Sequence, residues 1–321
     1  MKQKKVLIIG ITGQDGAYLS QLLLQKGCEV HGTSRDAELS NFSSLRQLNI
    51  YEKVKLHSMS LIDFRSVMQT ILEIKPDEIY NLAGQTSVGL SFVQPVETLE
   101  SISIGTLNIL EVMRFHKLDA KFYNASSGEC YGETEIIGAN EDTQFKPRSP
   151  YAVAKAAAFW QVANYREAYG LFACSGILFN HESPLRPQRF VTRKIVKTVC
   201  EIKKNIQKNL ILGNLKINRD WGYAPEYVCA MFLMLQQDKP DDFIIATGHT
   251  ISLEDFTKLA FNSVDLEMNN HIIINESLMR PSDIVFSKGN PSKANEILKW
   301  KAKTNVEELI KIMIQSELSK L

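Results

Sequence analysis

Val6-Leu7-Ile8-Ile9-Gly10-Ile11-Thr12-Gly13-Gln14-Asp15-Gly16 reads as a short apolar strand that runs straight into a GxxGxxG turn. Behind it, Tyr18, Leu19, Leu22, Leu23 and Leu24 recur at helical spacing, so the turn joins a strand to a helix. Glycines at these positions let the backbone bend sharply and approach a pyrophosphate. The helix start adds unpaired N–H groups and the positive end of its dipole. Gly10, Thr12, Gly13, Gln14, Asp15 and Gly16 are therefore the first candidate residues for holding a dinucleotide.

Outward from this turn, further strand-like runs at residues 29–33, 54–56, 78–82 and 121–124 alternate with helical patterns such as Val67-Ile71-Leu72 and Leu107-Ile109-Leu110-Val112-Met113. Parallel strands need crossovers, so the alternation predicts an α/β fold: a doubly wound parallel sheet of Rossmann type covered on both faces. Near residues 178–190 the periodicity breaks at Asn180, Ser183, Pro184, Pro187 and Gln188. The expected division is a dinucleotide-binding domain over 1–178 and a smaller mixed α/β substrate lobe over 179–321, with the chain crossing between lobes. A strand at 243–246 and a final amphipathic helix from 306 to 314 belong to this second half.

The 321 residues balance 37 Lys+Arg against 36 Asp+Glu, a formal charge of +1. That gives no broad basic field for nucleic acid. Cys28, Cys130, Cys174, Cys200 and Cys229 are scattered and form no CxxC pair, which argues against a disulfide framework and against a metal site. Residues 1–5 are basic, but the apolar run at 6–11 is too short for a signal peptide, and no run approaches the roughly 18 apolar residues of a membrane span. These features read as a cytoplasmic protein with no membrane or nucleic-acid partner.

At the tip of the second strand, where an acidic residue would select NAD, stands Thr33-Ser34-Arg35-Asp36. Ser34 can hydrogen-bond a 2′-phosphate and Arg35 can neutralise it, which favours NADP; Asp36 beside Arg35 pulls the other way. Tyr151 and Lys155 lie four apart on a long helical stretch and so share a face. A phenol of pKa about 10 is a poor base at neutral pH, and an adjacent ammonium favours its ionised form. The pair is a candidate acid/base for a hydroxyl that becomes a carbonyl. Asn124-Ala125-Ser126-Ser127-Gly128-Glu129 follows the fifth strand, at the sheet end where ligands sit. Ser127 is placed to orient the reacting oxygen. Glu129 is a carboxylate that a pure oxidoreductase would not need and that a lyase removing a carbon-bound proton would.

With these residues in view the sequence resembles the extended short-chain dehydrogenase/reductase family, and within it the GDP-mannose 4,6-dehydratase family. The likeness runs through Gly10 to Gly16, Tyr80-Asn81-Leu82-Ala83, Pro147-Arg148-Ser149-Pro150-Tyr151-Ala152-Val153-Ala154-Lys155, Asn180-His181-Glu182-Ser183-Pro184, Phe190-Val191-Thr192-Arg193-Lys194, Arg219-Asp220-Trp221-Gly222 and Arg280-Pro281-Ser282-Asp283. It implies a hydro-lyase of deoxysugar biosynthesis that takes GDP-mannose to GDP-4-keto-6-deoxy-mannose by an internal NADP redox cycle. Ser127, Glu129, Tyr151 and Lys155 would be catalytic. The cofactor would touch the glycine loop, Arg35, Leu61, Leu82, Ala83, Gln85, Tyr151, Lys155, His181 and Arg186. The substrate would meet Ser87, Glu129, Asn180, Val191, Lys194, Arg219 and Arg280. A homo-oligomer, dimer or tetramer, is implied too, with residues 35–44 at a contact over the cofactor.

The chain departs from the family pattern at two places. Ser127 and Gly128 stand where threonine and serine are usual, which keeps the first hydroxyl and loses the second. Met59-Ser60-Leu61 replaces Gly-Asp-Leu, which removes a carboxylate from the adenine side. Two other functions stay open on the residues alone: a reductase of the 4-keto-6-deoxy sugar nucleotide, which Glu129 argues against, and a non-catalytic NADP-binding regulator, which Ser127, Tyr151 and Lys155 argue against. Mannose and a manno-heptose differ around C6, a matter of pocket shape that spacing does not encode.

Overall fold

Val6 and Ile8 of strand β1 (Lys5–Ile9) enter one hydrophobic layer and Leu7 and Ile9 the opposite one, and all four are buried. Alternation of this kind, apolar on both faces, is what a strand covered on both sides requires. The computed structural model describes residues 3–321; Met1 and Lys2, the start of the basic run, lie outside them. After β1 come α1 (Gln14–Gln25), β2 (Glu29–Ser34), α2 (Ser43–Gln47), β3 (Lys55–Ser58), α3 (Phe64–Ile74), β4 (Glu78–Asn81), α4 (Val88–Val93), α5 (Pro95–Leu99), α6 (Gly105–Phe115), β5 (Lys121–Ser127), α7 (Pro150–Tyr169) and β6 (Ala173–Leu178). A π turn, Glu100–Ile104, joins α5 to α6.

The second half holds β7 (Asn180–Glu182), α8 (Val191–Lys203), β8 (Leu210–Leu212), β9 (Asn218–Arg219), β10 (Trp221–Tyr223), α9 (Ala224–Leu235), β11 (Phe243–Ile245), β12 (Ile251–Ser252), α10 (Leu253–Asn262), β13 (Ile272–Ile274), β14 (Phe286–Ser287), α11 (Ser292–Ile297) and α12 (Val306–Leu318).

The large sheet has seven strands in the order β11-β6-β5-β4-β1-β2-β3, and every neighbouring pair is parallel. The chain leaves β1 toward β2 and β3, then returns across it to β4. The order therefore reverses between β1 and β4, and a crevice opens there at the carboxyl ends. One face is covered by Ala17, Leu19 and Leu23 of α1 with Met231 and Leu235 of α9. The other is covered by Val67 and Ile71 of α3, Ile109 and Val112 of α6 and Val162 of α7. The doubly wound α/β fold is thus present, with its last strand, β11, supplied from beyond residue 178.

Strand β5 runs past Asn124 because Ala125, Ser126 and Ser127 continue the pairing with Gly176, Ile177 and Leu178 of β6. This puts Ser127 at the sheet's rim.

Residues after β6 build a lobe over the carboxyl ends from small sheets, β7 with β10, β12-β9-β14 and β8 with β13. Its core gathers Ile195 and Val199 of α8, Trp221, Phe256 and Phe261, and Ile310 and Met313 of α12. Arg193 of α8 pairs with Glu317 of α12, both buried, which ties the C-terminal helix to α8. No helix among the described residues is long and apolar enough to cross a membrane.

Candidate active site

Gly10 ends β1 with φ +88°, and a Cβ there would come within 2.8 Å of Ala83 N, so the loop lies directly against the end of β4. At Gly16 a Cβ would meet Gly10 O and Ile11 Cα at 2.6 Å; glycine lets α1 pack on the turn it follows. Gly13 caps α1 without a side-chain bond, leaving the helix start to face a cavity of about 850 Å³. Gly10, Thr12, Gly13, Gln14, Asp15, Gly16, Arg35, Leu61, Leu82, Ala83, Gln85 and Arg186 all line this cavity. A glycine cradle, an uncapped twelve-residue helix and arginines at the rim fit a dinucleotide with its pyrophosphate on the helix start.

Arg35 reaches out into solvent. Its side chain is 88% exposed and lies 3.9 Å from Glu97. Ser34 Oγ is 3.0 Å from Ser40 Oγ, so the loop after β2 is folded on itself beside Arg35. Gln85 donates from Nε2 to Ser87 O at 2.9 Å and from its backbone N to Ser101 Oγ of the π turn at 3.2 Å. Such turns often mark functional sites.

A second cavity, of about 340 Å³, adjoins the first and shares Asp15, Leu82, Thr86, Arg186, Arg189 and Phe190 with it. It brings together Ser127, Glu129, Tyr151, Lys155, Ser87, Asn180, His181, Val191, Lys194, Arg219 and Arg280. Ser127 accepts from Glu129 N at 3.2 Å and so starts the short helical turn Gly128–Tyr131 that aims Glu129 inward. A Cβ on Gly128 would sit 3.0 Å from the Phe179 ring, a physical reason for glycine at this position. Ser149 caps α7 by accepting from Ala152 N at 3.1 Å, with Pro150 in the first turn, which places Tyr151 and Lys155 one turn apart.

Both of these side chains are buried. Burial pushes the Tyr151 phenol above its ordinary value; a hydrogen bond with Ser127 and the charge of Arg186 act against that. Lys155 Nζ donates to Ala125 O at 2.6 Å and lies 5.9 Å from the Tyr151 ring centre. Desolvation pulls Lys155 down to about 8. Spacing alone leads one to expect that the ammonium favours the ionised phenol; in this structure burial dominates, and the groups that act against it are Ser127 and Arg186. Glu129 is raised from the usual carboxylate range by burial, against the pull of Arg219 and Arg280. A carboxylate held up in this way is a stronger proton acceptor than a free one.

In the wall of the smaller cavity, Arg219 is buried, donates from Nη1 to Ile284 O at 2.7 Å and pairs through Nη2 with Asp283 at 3.1 Å. Arg280 reaches the same Asp283 oxygen at 3.3 Å. Lys194 also lines this cavity, donating to Ile211 O at 2.6 Å. Arg186 packs on the Phe190 ring at 3.6 Å and pairs with buried Glu182 at 3.0 Å, at the junction of the two cavities.

His181 has both ring nitrogens engaged inside the protein, Nδ1 with Phe179 O at 2.7 Å and Nε2 with Asp15 at 2.9 Å, and it stacks on Tyr227. It ties β7 to the glycine loop and lies on the wall of the smaller cavity. Arg189 lines both cavities and stands outside the motifs read from the sequence; Thr86 and Phe190, the latter from the Phe190-Val191-Thr192-Arg193-Lys194 run, line both as well. Arg189, a basic residue just before Phe190-Val191-Thr192-Arg193-Lys194, was the available signal. Among the described residues no cluster of three His, Cys, Asp or Glu side chains could hold a metal.

The chain matches the GDP-mannose 4,6 dehydratase family over residues 7–313. It is 46% identical to GDP-mannose 4,6 dehydratase 1 of Arabidopsis thaliana, covering 99% of this chain and 91% of the relative. With GDP-mannose 4,6-dehydratase of Yersinia enterocolitica it shares 41% identity over 98% of this chain and 94% of the relative. A solved structure of RMD from Pseudomonas aeruginosa complexed with NADPH superposes with a TM-score of 0.82 at 21% identity, covering 99% of this chain and 100% of that one. At that identity the likeness is one of fold.

Proposed function

The chain belongs to the GDP-mannose 4,6-dehydratase family, and from that premise we propose that it converts GDP-mannose to GDP-4-keto-6-deoxy-mannose and water with NADP held in the larger cavity. The observation that carries the reading is Glu129, a half-buried carboxylate with raised proton affinity in the same cavity as Ser127, Tyr151 and Lys155. Oxidation of an alcohol needs the tyrosine, serine and lysine; only an elimination needs the glutamate as well. A reductase of the keto sugar would have no proton to take from C5.

When bound, NADP supplies the acceptor for hydride from C4 and returns that hydride at C6. Tyr151 takes the proton of the C4 hydroxyl, Ser127 holds that oxygen, and Lys155 supplies positive charge behind the pair. A ketone at C4 acidifies the C5 hydrogen. Glu129 removes it and passes it to the C6 hydroxyl, which leaves as water. The hydride given up at C4 is the one returned at C6, so no net redox change occurs, and the proton taken from the C4 hydroxyl balances the one that C5 regains. Arg219 and Arg280 suit a diphosphate, because a guanidinium fork matches phosphate oxygens. Asn180, Ser87, Val191 and Lys194 complete the substrate side.

Incubation of the purified protein with GDP-mannose and no added cofactor tests this. The expected product is a sugar nucleotide lighter by one water. Turnover of NADPH on the keto sugar, with no dehydration of GDP-mannose, would leave the reductase instead. For the cofactor, a direct titration is expected to give tighter binding of NADP than of NAD. Arg35→Ala should narrow that gap by about tenfold, the loss of one charge-assisted hydrogen bond. Tighter binding of NAD by the unaltered protein contradicts the assignment.

We also infer a homo-oligomer and a cytoplasmic setting. Val96 and Leu99 of α5, Ile104, and Val153 and Trp160 of α7 are exposed apolar side chains on elements that pack against one another, which supports a surface covered by a second copy. Cofactor-loaded protein should therefore elute above the mass of a 36.3 kDa monomer. Elution as a monomer removes this inference. The five cysteines all stand free, in keeping with a reducing compartment.

A further inference from the structure

We propose that Asp283 is a positioning residue of this site: its carboxylate, shared between Arg219 and Arg280, holds both guanidinium groups where a diphosphate would meet them and balances the charge that Glu129 faces. The inference rests on the dehydratase reading, because it is the proton taken by Glu129 that Asp283 governs.

A single oxygen of Asp283 accepts from Arg219 Nη2 at 3.1 Å, Arg280 Nη1 at 3.3 Å and Ile284 N at 3.0 Å. Arg219 spends its other terminal nitrogen on Asn218 O at 2.9 Å and Ile284 O at 2.7 Å. Its Nε is left facing Glu129 at 4.0 Å. The guanidinium is therefore locked in its plane, with one edge on Asp283 and the other toward the glutamate.

A buried arginine this close to Glu129 and without a counter-charge would hold the glutamate ionised and weaken it as a base. Asp283 supplies the counter-charge. The charged and titratable groups that face Glu129 are Arg219 from β9, Arg280 and Asp283 from the segment before β14, Tyr151 from α7 and Cys130 from its own turn. Within this set burial prevails, and Glu129 keeps the proton affinity that lets it both accept from C5 and give to the departing hydroxyl. A diphosphate bound to the same two arginines adds negative charge in the same direction. Substrate binding and the basicity of Glu129 are coupled through one carboxylate.

Asp283→Asn tests this, because it keeps the shape and the acceptor oxygen and removes the charge. The acid limb of the pH profile of kcat should move to lower pH, since Glu129 now faces an unbalanced Arg219. The plateau should fall by less than the roughly 10²-fold that removal of a general base costs. KM for GDP-mannose should fall as well, because the competing carboxylate is gone. Asp283→Glu should bring the limb back toward its original place, and Asp283→Ser answers the same question should the asparagine variant not fold. A folded Asp283→Asn or Asp283→Ser protein with the limb unmoved, and only a lower melting temperature or a lower active fraction, overturns the role while leaving the dehydratase reading intact. Unaltered protein that does not dehydrate GDP-mannose removes both.

Discussion

Glu129→Gln is expected to lower turnover of GDP-mannose by about 10² to 10⁴, the usual contribution of a general acid/base, while oxidation at C4 persists. The amide keeps the size of the side chain, and Ser127 still receives the backbone N–H of residue 129, so the turn Gly128–Tyr131 is preserved. What is lost is the only group proposed to reach the C5 proton. Two readouts follow that a general loss of structure would not produce together. Exchange of the C5 hydrogen with solvent should stop, and reduced nicotinamide should build up on the protein after GDP-mannose is added. A tenfold loss of turnover with exchange unchanged would remove Glu129 from the role.

Tyr151→Phe is expected to cost about as much, 10² to 10⁴ in turnover, and to act one step earlier. The ring stays in its buried place on α7 and only the hydroxyl is removed, together with its hydrogen bond to Ser127. The group placed beside Ser127 to take the C4 hydroxyl proton is then gone. Lys155 is held by Ala125 O at 2.6 Å. This variant should therefore show neither reduced nicotinamide nor C5 exchange. The contrast with Glu129→Gln, which arrests after oxidation, orders the two residues in the reaction. Full C5 exchange in Tyr151→Phe would contradict that order, because the C5 hydrogen is acidic only beside a ketone.

Much of this site is legible in the amino-acid sequence because its parts sit at positions that local chemistry marks. The glycine turn follows a strand and opens a helix, Tyr151 and Lys155 are one helical turn apart behind a Ser-Pro start, and Ser127 and Glu129 close a strand. Each needs particular residues within a few positions of one another. The parts that are not legible there are those set by distant pairings. β11 joins the large sheet beside β6 across a gap of more than sixty residues, so neither the sheet order nor the return of the chain can be read from spacing. β5 extends to Ser127 only because β6 offers partners for it. Asp283 is one residue of a motif until β9, in another part of the chain, brings Arg219 against it. His181 can be read as reaching the cofactor, and only the fold reveals that Asp15 and Phe179 occupy its ring.

The central claim, a redox cycle closed within one sugar, is tested most directly by following the hydrogen at C4. GDP-mannose carrying deuterium at C4 should give, with no added cofactor, a product lighter by one water in which the deuterium is found at C6 and a solvent hydrogen at C5. Deuterium lost from the sugar, or a product formed only when NADPH is supplied and consumed, would contradict the account.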